Sequence, residues 1–483
     1  MKKILFILLA FLAVSCSKEK FAELNEDVKN PTNVPGETLF SNAEKNMSDQ
    51  IASTNVNRNN FKLWAQYWTE TTYTDESNYD IFNRRVPDNA FRTFYRDVLM
   101  DMKRSSELIS ANTPVGEDGL KVQKNKLAII DIVMVYTYDR LETMFGNIPY
   151  TQALDVDNVL PAYDDALTVH KDLMARIDAD IAALVDGADS FGSADLIYNG
   201  DVAAWKMFAN SLKLKMAIEI ADVDSESAAV KAAAEAAAPN VFASSDDDAV
   251  LDYMGATPNT NPLYVDLTLS GRHDFVPANT IVDIMNGLND PRRDAYFDLI
   301  DGQTEYVGGD YGYSSAYDNY SHIDAYIMQT PTLGNPLLTY SEVQFYLAEA
   351  NERGFNVGGS AEDHYNEAIT SSMAGWGIPQ ADIDTYLAQP EVAYSTANGT
   401  WQEKIGTQAW IAFYTRGYLG WTEWRRLDFP IFNLPPAITS YDEIPVRYTF
   451  PNGEQTLNGA NYTTAAAAIG GDLLTTKLYW DKH

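Results

Sequence analysis

The sequence has one cysteine and five histidines among its 483 residues. A lone thiol can form no intramolecular disulfide, so the fold must be held by packing alone. His170, His273, His322, His364 and His483 show no HExxH or other metal-ligand spacing. No GxSxG, Walker-type or GxGxxG stretch follows a strand pattern, which leaves the usual hydrolase, nucleotide and dinucleotide signatures absent. Basic residues are scarce, 35 Lys and Arg against 68 Asp and Glu, for a formal charge of −33. Nucleic acid and anionic lipid headgroups are poor partners for such a surface. Beyond residue 20 no apolar run approaches the roughly 20 residues needed to span a bilayer.

The position of the single cysteine is informative. Lys2 and Lys3 precede an apolar run from Ile4 to Val14, and Ser15 and Cys16 follow. A charged start and a short apolar core ending in small residues is a signal-peptide layout, too short for a transmembrane helix. The cysteine directly after it matches a bacterial lipobox, which predicts a signal peptide over 1–15 and an N-terminal lipid on Cys16. Residues 16–33 are polar and read as a tether from lipid to a single domain over 34–483.

Apolar residues make up 46% and aromatics 12% of the chain, well outside the disordered class. Leu127, Ile130, Met134, Tyr138, Leu141 and Phe145 recur at three- and four-residue spacing and predict a helix apolar all round, hence buried. The same spacing predicts helices through Leu167–Leu184 and Val202–Ile220, with Asp201 as the N-cap of the second. Residues 337–354 and 361–377 form a helix pair across the turn-rich GFNVGGS, and Ala361, Tyr365, Ala368 and Ile369 follow a tetratricopeptide-like small-large-small rhythm. The predicted class is mainly α, with tetratricopeptide-like helix pairs forming a scaffold over about 34–242 and 337–429. Residues 243–336 and 430–483, rich in Gly, Pro, Asn, Asp and Tyr, read as long ordered loops carrying short strands.

Long ordered loops are where binding usually resides. Residues 305–326 place six tyrosines among glycines, aspartates and an asparagine. A tyrosine ring offers a flat apolar face to the C–H side of a sugar, and Asp and Asn accept or donate hydrogen bonds to its hydroxyls. Candidate ligand contacts here are Asp310, Tyr311, Tyr313, Tyr317, Asn319 and Tyr320, each tyrosine having the alternative of packing the loop down. A second aromatic cluster runs from Trp64 to Tyr79; Trp64 is assigned to the core, and Trp68, Tyr73, Asn78, Tyr79 and Asp80 to the ligand. The acidic stretches 246–248 and 301–305 could attract calcium, yet neither matches an EF-hand loop, so no metal or other cofactor is expected.

Several stretches together resemble a known family: the lipobox, NPTNV at 30–34, FGNIPY at 145–150, AAWKMFANSLKLKMA at 203–217, NDPRRDAYF at 289–297, LLTYSEVQFYLAEANERG at 337–354, IGTQAWIAFYTRGYLGWTEWRR at 405–426 and KLYWD at 477–481. In this order they resemble the SusD/RagB family, specifically its SusD-like branch. The resemblance implies a helical scaffold with a loop-borne ligand site on an outer-membrane, surface-exposed lipoprotein. It further implies a lid subunit that captures oligosaccharides or other nutrients for a SusC-type TonB-dependent transporter. Family ligand residues vary with substrate, so the motifs identify none here, and Arg425 and Arg426 read as salt-bridged scaffold beneath the loops. The expectation is a binding protein without catalysis. A glycoside hydrolase and a helical-repeat scaffold for protein partners remain the alternatives.

Overall fold

The computed structural model describes residues 34–438 and 443–483. The expected signal peptide, the lipidated Cys16 and the tether lie outside the described residues. Ten helices carry the scaffold: α1 Gly36–Ala52, α2 Met100–Ala111, α3 Gly116–Phe145, α4 Ala166–Ala183, α5 Val202–Glu219, α6 Ser227–Ala237, α7 Tyr340–Glu352, α8 Ala361–Gly375, α9 Trp401–Ala412 and α10 Gly417–Leu427. They pack as successive neighbours, α1 on α2, α3 on α4, α5 on α6, α7 on α8 and α9 on α10, which is the expected paired arrangement. Helix α5 also packs against α7, joining the two halves of the scaffold across the intervening loops.

Local chemistry accounts for the helix boundaries. Asp201 caps α5, its carboxylate accepting from the N–H groups of Ala203 at 2.8 Å and Ala204 at 3.1 Å. Helix α3 is buried on every side from Ala128 onward, as its all-round apolar pattern predicts, and it starts earlier than the pattern does, with an exposed polar first turn. It stops at Gly146, whose φ of +84° suits glycine and whose missing Cβ would meet Leu478 at 2.9 Å. In the α7–α8 pair Tyr365, Ala368 and Ile369 are buried against Phe345 and Ala348, and Ser341 Oγ donates to the Ala368 carbonyl at 2.8 Å.

The EWRR stretch lies inside this scaffold. Arg426 bonds to Glu349, to Glu423 at 3.0 Å and to the Ile218 carbonyl at 2.8 Å, so it is the expected buried salt-bridge residue. Arg425 differs from expectation. It donates to the carbonyls of Thr143 (2.8 Å) and Val446 (3.0 Å), and its guanidinium lies 3.6 Å from the Trp421 ring centroid and 4.6 Å from that of Trp480. Burial without a directly bonded carboxylate pulls it down to about 10.

The loop-rich parts hold three two-stranded antiparallel ribbons: β1 Trp68–Glu70 with β3 Phe275–Pro277, β2 Ala249–Leu251 with β6 Asn335–Leu338, and β4 Phe297–Asp298 with β5 His322–Ile323. The tail departs from the expected loop by forming short helices over Asn452–Leu457 and Gly459–Ala468, which lie beyond its last proline. No helix among the described residues is long and apolar enough to cross a membrane.

Candidate functional site

Two buried amides bring the loops of both candidate clusters together. Gln66 uses its whole side chain: Nε2 donates to Tyr79 Oη (3.0 Å) and the Asn433 carbonyl (2.8 Å), while Oε1 accepts from Thr280 Oγ1 (2.7 Å) and the Asn433 N–H (2.9 Å). Asn78 Nδ2 donates to the carbonyls of Thr74 (2.7 Å) and Gly312 (2.8 Å), and its Oδ1 accepts from the Ala437 N–H at 2.9 Å. Segments 66–82, 305–320 and 430–438 are thereby clamped into one surface. At Gly312, with φ +78°, a Cβ would come within 2.5 Å of Pro435, so only glycine admits this approach.

Four of the residues expected to contact ligand lie beneath that surface. Trp68 is 0% exposed; β1 pairing with β3 turns its ring inward, where Nε1 donates to Tyr414 Oη at 2.9 Å. Tyr79 and Tyr311 are also buried, Tyr311 donating to the Leu63 carbonyl at 2.8 Å, and Asn78 is committed to the clamp. Their rings and amide are already occupied by protein and present no face to a sugar. Tyr317 is half-buried between two imidazoles, His322 at 3.9 Å and His273 at 4.2 Å, and two rings so close to one phenol must occupy opposite faces. Its stacking faces are therefore taken, contrary to expectation.

The remaining candidates reach solvent. Tyr73 is 72% exposed and Tyr313 55%; Asp310 and Asn319 are exposed, while Asp80 and Tyr320 are half-buried. Tyr73 sits at φ +56°, and Gln66, Tyr79 and Arg85 in the same short segment also have positive φ. A non-glycine residue in this region costs of order 1–3 kcal/mol, a strain that clusters at ligand sites. Here it is sustained by the hydrogen bonds of Gln66 and the surrounding loops.

Beside Tyr73 opens a cleft of about 300 Å³ whose walls include Asn55, Asn57, Thr72, Arg84, Arg272, Asp274 and Phe275, with Glu70 in its floor. The volume is at the lower end of the roughly 300–1,000 Å³ common for small-molecule sites. Arg272 is held by Asp274 in a two-pronged pair, Nη2 to Oδ1 at 2.8 Å and Nε to Oδ2 at 2.5 Å. Asn55 Nδ2 and Asn57 Oδ1 have no hydrogen-bond partner among the described residues. Glu70 Oε2 accepts from the Ser77 N–H (2.9 Å) and Oγ (2.8 Å). Burial, and then the adjoining Glu76 carboxyl, push Glu70 up to about 9, so it keeps its proton at neutral pH, while Glu76 faces Arg84. Two carboxyls bonded side by side below the surface cannot flank a glycosidic bond, as a glycosidase pair must.

The residues that the sequence pointed to did not include Glu70, Arg84, Arg272, Asp274 or Phe275. The RHDF run at 272–275 lay within a stretch recognised as loop, but charge in a loop of so acidic a chain carried no further signal. One group of residues close enough to hold a metal, Asp139, Glu142 and His170, lies buried in the scaffold away from this cleft. Lys215 already supplies its cation, 2.8 Å from Asp139, and both His170 nitrogens are engaged, with Glu142 Oε1 (2.7 Å) and the Met216 carbonyl (3.1 Å). The donor set does not fit an added ion. In the acidic stretch 246–248, Asp247 accepts from the Ala243 N–H at 2.8 Å and Asp248 from that of Tyr340 at 2.5 Å.

Comparison with known proteins follows the same lines. A SusD-like family model, described as starch-binding and associating with the outer membrane, matches residues 28–451. Among solved structures, a chitin-binding protein is 25% identical with a TM-score of 0.78, covering 93% of this chain and 100% of its own. A SusD homologue from Bacteroides uniformis is 28% identical with a TM-score of 0.75, covering 92% of this chain and 99% of its own. A chitin-binding SusD homologue from Flavobacterium johnsoniae, at 22% identity and a TM-score of 0.77, shares the fold over 93% of this chain and 99% of its own. No protein with a curated description matches the sequence significantly. With the motifs, the paired helices and the family match over most of its length in agreement, this chain belongs to the SusD-like branch of the SusD/RagB family.

Proposed function

We propose that the protein captures neutral oligosaccharides at the Tyr73–Tyr313 surface and releases them unchanged to a SusC-type TonB-dependent transporter, for which it serves as the lid. The observation that carries this reading is the pair of solvent-exposed tyrosines on one clamped loop surface, one of them beside a polar cleft. Each ring can stack on the C–H face of a sugar, contributing roughly 1 kcal/mol. Arg272, Asp274 and the free amide atoms of Asn55 and Asn57 supply directional hydrogen bonds to hydroxyls, which discriminate among glycans. Few contacts and an open surface give weak binding and fast release, as delivery requires.

Membership of a starch-binding family makes this a binding protein rather than a catalyst, and that family associates with the outer membrane. Attachment through a lipid on Cys16, display on the outer face and the transporter partnership belong to the proposal, supported by the lipobox and the family. Neighbours described as chitin-binding place chito-oligosaccharides beside starch fragments among the first probes.

A glycan array followed by product analysis tests the reading. Capture requires at least one neutral glycan to bind and to be recovered at its original length after overnight incubation, and Tyr313→Ala to weaken binding without unfolding. Shortened products would establish a hydrolase, and a blank array with a folded protein would count against the carbohydrate reading and leave peptides, other nutrients or protein partners. Cys16→Ser should leave the membrane fraction.

A further inference from the structure

A second cleft, of about 350 Å³, opens between the β2–β6 ribbon and the end of α8. Three aromatic residues line it: Phe413, which is buried, and Tyr326 and Trp376, which are not. Tyr326 is 58% exposed and its hydroxyl has no partner among the described residues. Trp376 is half-buried, braced on the inner side by an edge-to-face contact with Tyr296 at 5.0 Å. Hydrogen-bonding groups held by the scaffold line the same cleft. Asp248 uses one oxygen on the Tyr340 N–H at 2.5 Å, Arg416 is anchored to the Leu337 carbonyl at 2.8 Å and to Glu342 at 2.5 Å, and Asp252 reaches solvent. Aromatic rings and positioned polar groups in one cleft are the chemistry that binds a hydroxylated ring.

A short helix relates this cleft to the first. A small cleft of about 180 Å³ shares Arg272, Asp274 and Phe275 with the Tyr73 cleft and has Met328 and Gln329 on its far side. Those two residues belong to the five-residue helix Ala325–Gln329, whose Tyr326 lines the second aromatic cleft. The small cleft thus adjoins the first, and the helix Ala325–Gln329 contributes residues both to it and to the second aromatic cleft.

From this arrangement we infer that Tyr326 and Trp376 form a second sugar subsite, and that the ligand is an extended oligosaccharide lying across the Ala325–Gln329 helix, not a single ring or chain end. The inference rests on the capture reading and adds chain length to it. Calorimetric titration of the full protein with malto- and chito-oligosaccharides, from disaccharide to octasaccharide, tests it. Affinity for the bound series should rise with length. Tyr326→Ala should lower octasaccharide affinity about five- to tenfold, the loss of one aromatic contact, and leave disaccharide affinity unchanged. Tyr73→Ala should weaken both. Trp376→Ala should repeat the Tyr326→Ala pattern; because Trp376 braces Tyr296 and its loss threatens the fold, the exposed Tyr326 carries the test. Equal affinity at all lengths, or an octasaccharide affinity unaltered in folded Tyr326→Ala, overturns the subsite and leaves capture standing. A blank titration of the folded wild type against both ladders counts against capture and removes this inference with it.

Discussion

Tyr73 combines an exposed ring with a left-handed backbone, and the two properties make separable predictions. Tyr73→Gly removes the ring and relieves the φ of +56°, while glycine loses more chain entropy on folding. The two effects oppose each other, so stability in urea should stay within about 1 kcal/mol of the parent. Glycan affinity should fall as far as in Tyr73→Ala. A Tyr73→Gly variant that unfolds at much lower urea would mean the ring is structural after all. Glu70 makes a different prediction. Its carboxyl has an ordinary value of 4.5 and is pushed up to about 9 when folded. The folded state thus holds a proton that the unfolded state has lost, and the resulting stability declines as pH rises across that window. Glu70→Gln can still accept from Ser77 and donate to Glu76 without titrating. Its stability relative to wild type should improve steadily from pH 5 to pH 9 in parallel urea titrations; a constant difference would show that Glu70 ionises normally.

At the scale of elements, a cap and a loop clamp serve different ends. Asp201→Ala removes two N-terminal hydrogen bonds from α5, deep in the scaffold sequence, and should cost about 1 kcal/mol without altering binding. Asn78→Ala orphans the carbonyl of Gly312 and the N–H of Ala437, loosening the surface that carries Tyr313. It should cost about 1–3 kcal/mol and also weaken glycan binding, although Asn78 is buried beneath the exposed tyrosines. Thermal melts paired with calorimetry separate the two; equal binding by both variants would show that loop order does not matter to the site. Legibility in the sequence follows the same division. The helices α3, α5, α7 and α8 were readable because period, caps and turn residues are local. Arg425 and Arg426 were both expected as buried ion-pair residues, and only Arg426 is one, because which carboxylates lie beside a guanidinium is set by distant segments. The short helices over 452–468 were missed because prolines upstream weighed against them, although those prolines end at Pro451.

At the scale of the molecule, charge decides the class of glycan. A formal charge of −33 repels polyanionic polysaccharides, whereas a neutral chain held by stacking and hydrogen bonds feels little of the field. Affinity for a neutral oligosaccharide should vary less than about twofold between 20 and 500 mM salt, a range over which the Debye length shrinks severalfold. A strong salt dependence would point to a charged ligand at Arg272 or Arg84. Over the whole chain the paired helices provide rigidity, and three loops tied by Gln66 and Asn78 provide the surface.

What the sequence by itself determined was the scaffold, the placement of the loops and the residue types able to meet a sugar, because periodicity, capping and composition act over a few residues. Which aromatic rings face outward was decided only by the tertiary structure. Trp68 and Tyr73 lie five residues apart in one segment, yet one is enclosed and the other is 72% exposed. Their difference arises from a strand partner some 200 residues away and from amide hydrogen bonds to segments beyond residue 430, and such distant contacts leave no trace in local pattern.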